Sequence, residues 1–406
     1  MTGLMPTLSA IALALGLGTA AVASSPDPGD WDSVLAEARG QTVYWHAWGG
    51  DPRINAFIDW VGTELEARHD VALVHVRLSD TSEAVSRVLA EIAAGRTEGG
   101  AVDAIWINGA NFAALREAGL LFGPFTEALP NWPLVDTESH PAVLTDFTIP
   151  VDGLGAPWAM FRLVFEYDSS RVPEPPRDAE ALARWITENP GRFTYPQPPD
   201  FLGTSFLKQL LYELVEDPAV LAGPADAVDY DAVTAPLWAW LDAVTPHLWR
   251  SGAAYPQNEP GLGQLLADGE IDIGFSFNPG RASAAIADFE LPDSVRTYSF
   301  SGGTIGNSSF LSIPVNAANR AGALVLSNLI LDPEVQARAQ DPAVLGFQTV
   351  LALDRLGAAG RARFDRLELG IATMRPDEMG PSLPEPHPDW MTRVAEDWQA
   401  RYGVAR

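Results

Sequence analysis

Aromatic, amide, hydroxyl and glycine residues recur in this chain where strands stop. That is chemistry for gripping a polar molecule more than for breaking one. Trp48, Gly49 and Gly50 follow a β-forming run. The glycines let a ligand reach backbone N–H groups and the indole offers a flat wall; a tight turn around a buried ring is the competing reading. Asp80 and Thr81 stand where a strand gives way to a helix, either as a cap or as ligand contacts. Asn108 and Asn111 can each donate and accept, which suits a polar solute or an Asn-Gly turn. Trp158 follows Pro157 on a long extended segment, and Tyr195, Asn258 and Asn278 sit at strand or loop ends. Thr204, beside Gly203, opens an expected helix with free N–H groups. Gly303 and Thr304 could offer backbone N–H groups to the same ligand.

Chemistry that cuts or transfers has fewer marks. The six histidines, 46, 69, 75, 140, 247 and 387, form no HxxxH or HExxH pattern. There is no cysteine, which removes thiolate catalysis and Cys-ligated metals. Phe201-Leu202-Gly203-Thr204-Ser205-Phe206 is not a nucleophile elbow, and Gly302-Gly303-Thr304-Ile305-Gly306 has neither P-loop nor dinucleotide spacing. Ser-His-Asp sets and paired carboxylates remain numerically open, because Ser and the acids are common. No metal and no cofactor are expected.

The elements that must position these residues alternate. Residues 42–48 and 71–78 read as strands, and 102–107 as a third. Between them lie helices carrying Ile54, Phe57, Ile58, Val61 and Leu65, then Ala84, Val85, Val88, Leu89 and Ile92. Such alternation implies a parallel sheet with helices on its faces. Residues 156–167 read as a crossover between two units. Helices are expected at 179–189, 204–215, 236–248 and 262–269, with a short strand running into a loop at 190–196 and a strand at 271–277. After a second extended stretch at 299–315, residues 319–340 are helical, and 390–402 form a last helix.

Composition narrows the class. The chain has 406 residues, 47% hydrophobic, and a net charge of −27. Ordinary cores are affordable, and so much negative charge disfavours a nucleic-acid partner. Leu8 to Val22 is apolar, and Ala21-Val22-Ala23 has the small-x-small pattern of a secretory cleavage site, although the preceding residues hold no Lys or Arg. A mature start at about Ser24 in the periplasm follows.

Several segments together resemble one family. Tyr44-Trp45-His46-Ala47-Trp48-Gly49-Gly50, then Gly95 and Gly99-Gly100 leading into Val102-Asp103-Ala104-Ile105-Trp106-Ile107, are similar to extracellular solute-binding proteins of ABC importers. Leu265 to Gly274 and Ser299 to Gln340 add to the likeness. Trp48 to Asn55, Asp80 to Arg87 and Trp106 to Phe112 resemble its YnjB-type members. The resemblance implies an α/β, two-lobed, type II periplasmic-binding-protein-like fold with lobes joined by crossing hinge strands. It divides the chain into a signal segment at 1–23, a first lobe at 24–155 and a second at 156–300. A return to the first lobe at 301–345 and a C-terminal segment at 346–406 complete it. It implies a small-molecule ligand, permease partners and a monomer. Trp48, Trp158 and the nearby Asp51, Asp80 and Glu259 favour an organic cation; an anion would turn to Arg53 and Arg281. A periplasmic hydrolase on a similar scaffold is the alternative.

Overall fold

The structure is a computed structural model that describes residues 26–375 and 378–403; the expected signal segment lies outside them. The first lobe begins with helix α1 (Trp31–Ala38), strand β1 (Thr42–Trp48), α2 (Pro52–His69), β2 (Ala72–Leu78), α3 (Ser82–Ala93), β3 (Ala104–Ile107) and α4 (Ala110–Glu117). Their patterning explains them. Asp51 accepts from Arg53 N and Ile54 N, with Pro52 in the first turn, and the five apolar residues expected on one face of α2 are all buried. In α3 the expected stripe holds for Ala84, Val85 and Val88, but Leu89 is 41% exposed. β1, β2 and β3 are parallel, Trp48 pairing with Leu78. Buried Asp103 ties them together, accepting from Tyr44 N at 3.0 Å and from Asn319 N at 2.8 Å.

A short hairpin, β4 (Thr145–Asp146) and β5 (Ile149–Pro150), precedes the crossing. The extended run at 156–167 is two strands that break at Leu163. β6 (Gly155–Arg162) belongs to the first sheet and β7 (Val164–Asp168) to a second. The second lobe adds α5 (Ala179–Glu188), α6 (Phe201–Leu214), α7 (Tyr230–Val244), α8 (Glu259–Ala267), β8 (Ile273–Ser276), α9 (Arg281–Ala287) and β9 (Val295–Tyr298). Its sheet, β8-β7-β9, is antiparallel throughout, unlike the parallel β1–β3 of the first lobe, because β7 arrives as a crossing strand and not through a helical crossover. Residues 193–196 form no strand beyond one bridge from Phe193 to Ile273. α7 begins at Tyr230, capped by Asp229, six residues ahead of the expected start at Pro236, and runs through that proline.

The chain returns through β10 (Thr304–Ser312), which lies antiparallel between β3 and β6 with every residue buried. The helical run at 319–340 is α10 (Arg320–Leu329) and α11 (Pro333–Gln340). α12 (Ala358–Phe364) follows, then β11 (Ser382–Leu383), paired with the start of β10, and α13 (Pro388–Tyr402). The C-terminal segment at 346–406 is divided between the lobes. Phe347, Leu351 and Phe364 join the first core, and Trp390, Val394 and Trp398 the second. The chain therefore crosses three times. Buried Arg162 fastens the third crossing to the hinge, donating to Thr304 Oγ1 and to the carbonyls of Met379, Gly380 and Pro381.

Candidate functional site

In open α/β sheets ligands bind beyond the carboxyl ends of the strands. In the first lobe that edge carries the loops after β1, β2 and β3. Half-buried Trp48 lays its ring over Gly50, where a Cβ would meet the indole at 2.3 Å. Gly49 N donates to Leu78 O at 2.9 Å. Asp80 is exposed and accepts from Ser82 N at 2.8 Å, while Glu83 accepts from Asp80 N at 3.0 Å, so the helix-cap reading describes this pair. Thr81 donates to Trp106 O at 3.3 Å. Asn108 donates to Ser308 O at 2.6 Å and Asp146 Oδ1 at 3.3 Å, and accepts from Ser309 Oγ at 3.2 Å. Half-buried Asn111 has no hydrogen-bond partner for its amide among the described residues, which leaves it available to a ligand.

Other expectations need correction. Trp158 is 1% exposed and packs edge-on against Trp45 and Trp106, with centroids at 5.9 and 4.8 Å, so it is a core residue of the first lobe. Phe161, three residues later, is the half-buried aromatic that packs against both lobe cores. It lies 6.5 Å from Trp106 and 4.5 Å from Phe347. Tyr195 is fully buried in the second core and accepts from Trp398 Nε1 at 2.9 Å. Thr204 does not open its helix. α6 starts at Phe201, and Asp200 accepts from Leu202 N and Gly203 N at 3.0 and 3.1 Å; buried Thr204 donates back to Asp200 O. A Cβ on Gly203 would strike Pro196 O at 2.0 Å, so glycine serves close packing there.

Asn258 is exposed and caps α8, accepting from Gly261 N at 3.1 Å. Asn278 spans the lobes, donating to Leu345 O at 2.7 Å. Gly303 has φ +102°, and a Cβ there would sit 2.5 Å from Pro381 O. Thr304 N also turns to Pro381 O. The chain's own C-terminal segment occupies the place where these two were expected to meet a ligand.

Of the residues that do converge between the lobes, Asn108 was singled out in the sequence and its partners were not. Lys208, on α6, is the only lysine in the chain and is completely buried. Its ammonium donates to Glu385 Oε2 at 2.6 Å and lies over the rings of Phe147, at 4.6 Å, and Phe201, at 5.4 Å. Glu385 Oε1 accepts from Asn307 Nδ2 at 3.0 Å. Asp146 accepts from Gly109 N at 2.5 Å and from Asn108, and burial pushes its carboxyl up to about 8. Burial also lowers the Lys208 ammonium, against the pull of Glu385 and Asp146. Phe147, Asp146 and Asn108 come from the first lobe, Lys208 and Phe201 from the second, and Glu385 from the third crossing. A lone lysine inside the apolar run Phe206-Leu207-Lys208-Gln209-Leu210-Leu211 was the signal available in the sequence.

Two further ionic groups border the cluster. In the second lobe Arg281 pairs with Glu166 at 2.7 Å and approaches Glu259 at 3.9 Å. Burial raises Glu259 and Asp200 each to about 6. At the rim, Arg53 of α2 reaches Asp288 at 3.4 Å and Glu290 at 3.9 Å on the other lobe. Beside the cluster, Arg116 of α4, Thr148 and His387 border a cavity of about 290 Å³. No group of three or more metal-binding side chains occurs among the described residues.

Residues 60–351 match the family model described as bacterial extracellular solute-binding protein. The chain is 41% identical over 375 residues to the protein YnjB of Escherichia coli strain K12, across 92% of this chain and 94% of YnjB. Among solved structures it is similar to AfuA of Actinobacillus pleuropneumoniae, a periplasmic binding protein with fructose-6-phosphate bound. There the TM-score is 0.60 at 14% identity, covering 90% of this chain and 99% of AfuA. It is also similar to PotD of Streptococcus pneumoniae, a spermidine/putrescine ABC transporter substrate-binding protein. That comparison gives 0.59 at 15% identity, over 89% of this chain and 98% of PotD. The Tp0655 lipoprotein of Treponema pallidum gives 0.61 at 14%, over 88% and 98%.

Proposed function

From the premise that this chain belongs to the bacterial extracellular solute-binding protein family of ABC importers, with a two-lobed type II periplasmic-binding-protein fold, we propose that it clamps a small organic cation between its lobes and delivers it to an import permease in the periplasm. Delivery works by hinge bending about the crossings, with the solute stabilising the closed state. The observation that carries this reading is the polar seam that only both lobes together can form, with Asn108 and Asp146 on one side and Lys208 on the other. Relatives in this family and among the solved structures are transport proteins, and no residue set here favours turnover over capture.

The sign of the ligand's charge rests on which seam groups are spoken for. Arg53, Lys208 and Arg281 are each paired with carboxylates, and Asp200 takes the free N–H groups at the start of α6. An anion would have to displace these partners. A cation would instead meet Asp200 and Glu259, raised by burial, and the faces of Trp48, Trp106 and Phe161, each face worth about 0.5–2 kcal/mol. PotD belongs to a spermidine/putrescine transporter and AfuA holds fructose-6-phosphate, and the paired bases of this chain favour the first kind of ligand. Titration calorimetry with spermidine, putrescine, choline, thiamine, fructose-6-phosphate and citrate tests the reading. Heat with a cation, and a smaller radius of gyration in solution scattering on saturation, are expected. Tight binding of only the phosphate or the tricarboxylate would reverse the charge assignment.

A further inference from the structure

Phe289 is placed against its own stability on two counts. It is 95% exposed, well beyond any other large apolar side chain among the described residues, the next being Ile371 at 58%. Its φ is +61°, a left-handed conformation that a bulky side chain rarely adopts. The cause is local. Phe289 N bonds to Ile286 O at 3.1 Å and Glu290 N to Ala285 O at 2.8 Å, the pattern that ends a helix with a left-handed residue. Glycine is the usual occupant, because it takes that conformation without a Cβ clash. A phenylalanine there, with no apolar surface covering it, serves neither the cap nor the core. One exposed ring alone would need no explanation, but a ring held in a left-handed conformation that neither cap nor core requires points to a role outside the fold.

Its neighbours say where that role is exercised. Asp288 and Glu290 flank it on the second lobe, and both reach Arg53 on the first. These pairs form only when the lobes meet, so the setting of Phe289 depends on closure. Ile371 stands near the same helix, since Ala372 N bonds to Ser283 Oγ at 3.1 Å and Gly370 packs on that serine.

We propose that Phe289 is the docking tooth read by the permease subunit of the importer, fitting an apolar socket rimmed by basic side chains. The inference rests on the delivery reading above. The basic rim follows from the acidic setting: Asp288 and Glu290 flank Phe289 and Asp293 stands four residues on, and a basic partner would compete with Arg53 for the first two. An aromatic anchor inside a charged rim is the arrangement that concentrates binding energy at interfaces. Closure sets Asp288 and Glu290 through Arg53, so the permease meets a different surface when the lobes are apart.

The test replaces residue 289, and in parallel the exposed Leu89 of the first lobe and Ile371, with the photo-reactive p-benzoylphenylalanine in the full chain, in the cell envelope of its own source. Illumination at 289 is expected to give an adduct that mass spectrometry identifies as the permease, and Arg53→Ala should lower its yield several-fold. Phe289→Gly should raise the melting temperature by about 2 °C, through relief of the left-handed strain, while solute heats stay unchanged. Capture of the permease from 89 or 371 but never from 289 overturns the inference and leaves the delivery reading standing. Capture from none of the three overturns both. An adduct at 289 with a second copy or with a soluble protein also overturns it, as does a Phe289→Gly chain that is less stable than the parent.

Discussion

Two ionic pairs stand at the lobe boundary, one buried in the seam on the second-lobe side and one bridging the lobes at the rim, and they differ in almost everything but sign. Lys208 and Glu385 are wholly buried, 2.6 Å apart, with aromatic rings on the remaining sides of the ammonium. Arg53 and Asp288 are 3.4 Å apart with side chains 24% and 50% exposed. Water already solvates the rim pair, so forming it gains little and breaking it costs little. The inner pair has surrendered its hydration and depends on every partner it has. The rim can therefore open and reclose on modest forces, whereas the inner cluster must either stay whole or hydrate as a unit. That split suits a clamp whose second lobe carries Lys208 and Glu385 together and leaves Asp146 and Phe147 behind.

The sharpest way to break the comparison is to strand one inner charge. Glu385→Ala should cost about 3–5 kcal/mol in urea unfolding, whereas the double change Lys208→Met with Glu385→Leu should recover most of it. A loss under about 1 kcal/mol would place the inner pair in the same class as the rim. Next in size is chemical access. Since Lys208 is the only lysine, an amine reagent has a single side-chain target. Its modification should run about a hundredfold slower in the closed protein than in urea-unfolded chain, tracking the opening equilibrium.

The third effect is on pH. The Asp146 carboxyl is raised to about 8 when buried, so the folded protein holds a proton that the unfolded chain releases near the ordinary carboxyl value. Its stabilising contribution is complete below that ordinary value and is lost as pH rises through 8. Unfolding free energy should fall by on the order of 2 kcal/mol between pH 6 and 9, and Asp146→Asn should flatten that slope. Asp200 and Glu259, raised to about 6, act in the same direction but mostly below pH 6, which separates them. The smallest effect belongs to the rim. Arg53→Ala should change stability by at most about 1 kcal/mol, and the ligand-free radius of gyration should grow at low salt and match the parent at high salt.

The lobes and their joining strands were legible in the sequence because they rest on local pattern. The 42–48 strand, the α2 face and the crossing at 156–167 each carry period and punctuation within a dozen residues. Asp80 was readable as a cap for the same reason. The binding seam was less so. Trp158 and Phe161 are three residues apart on one strand, and only the packing of Trp45, Trp106 and Phe347 decides that the first is core and the second bridges the lobes. Helix starts displaced the second-lobe assignments: reading α6 from Thr204 instead of Phe201 put a back-bonded threonine where Asp200 stands. The inner cluster was hidden by distance along the chain, since Lys208 meets Glu385 across 177 positions and Asn108 meets Asp146 across 38. Arg281 begins a helix that the sequence reading passed over.

The third crossing bears on how the chain must come off the ribosome. Neither lobe is a continuous stretch: the first needs β10 and residues as late as Phe364, and the second needs Trp390 and Trp398 from α13. A growing chain therefore cannot finish one lobe and proceed to the next, as sequential domains do. The two large cores wait for the last sixty residues, so neither lobe is complete until synthesis is nearly over. A chain in that state has no finished lobe to unravel before it is threaded through a narrow channel.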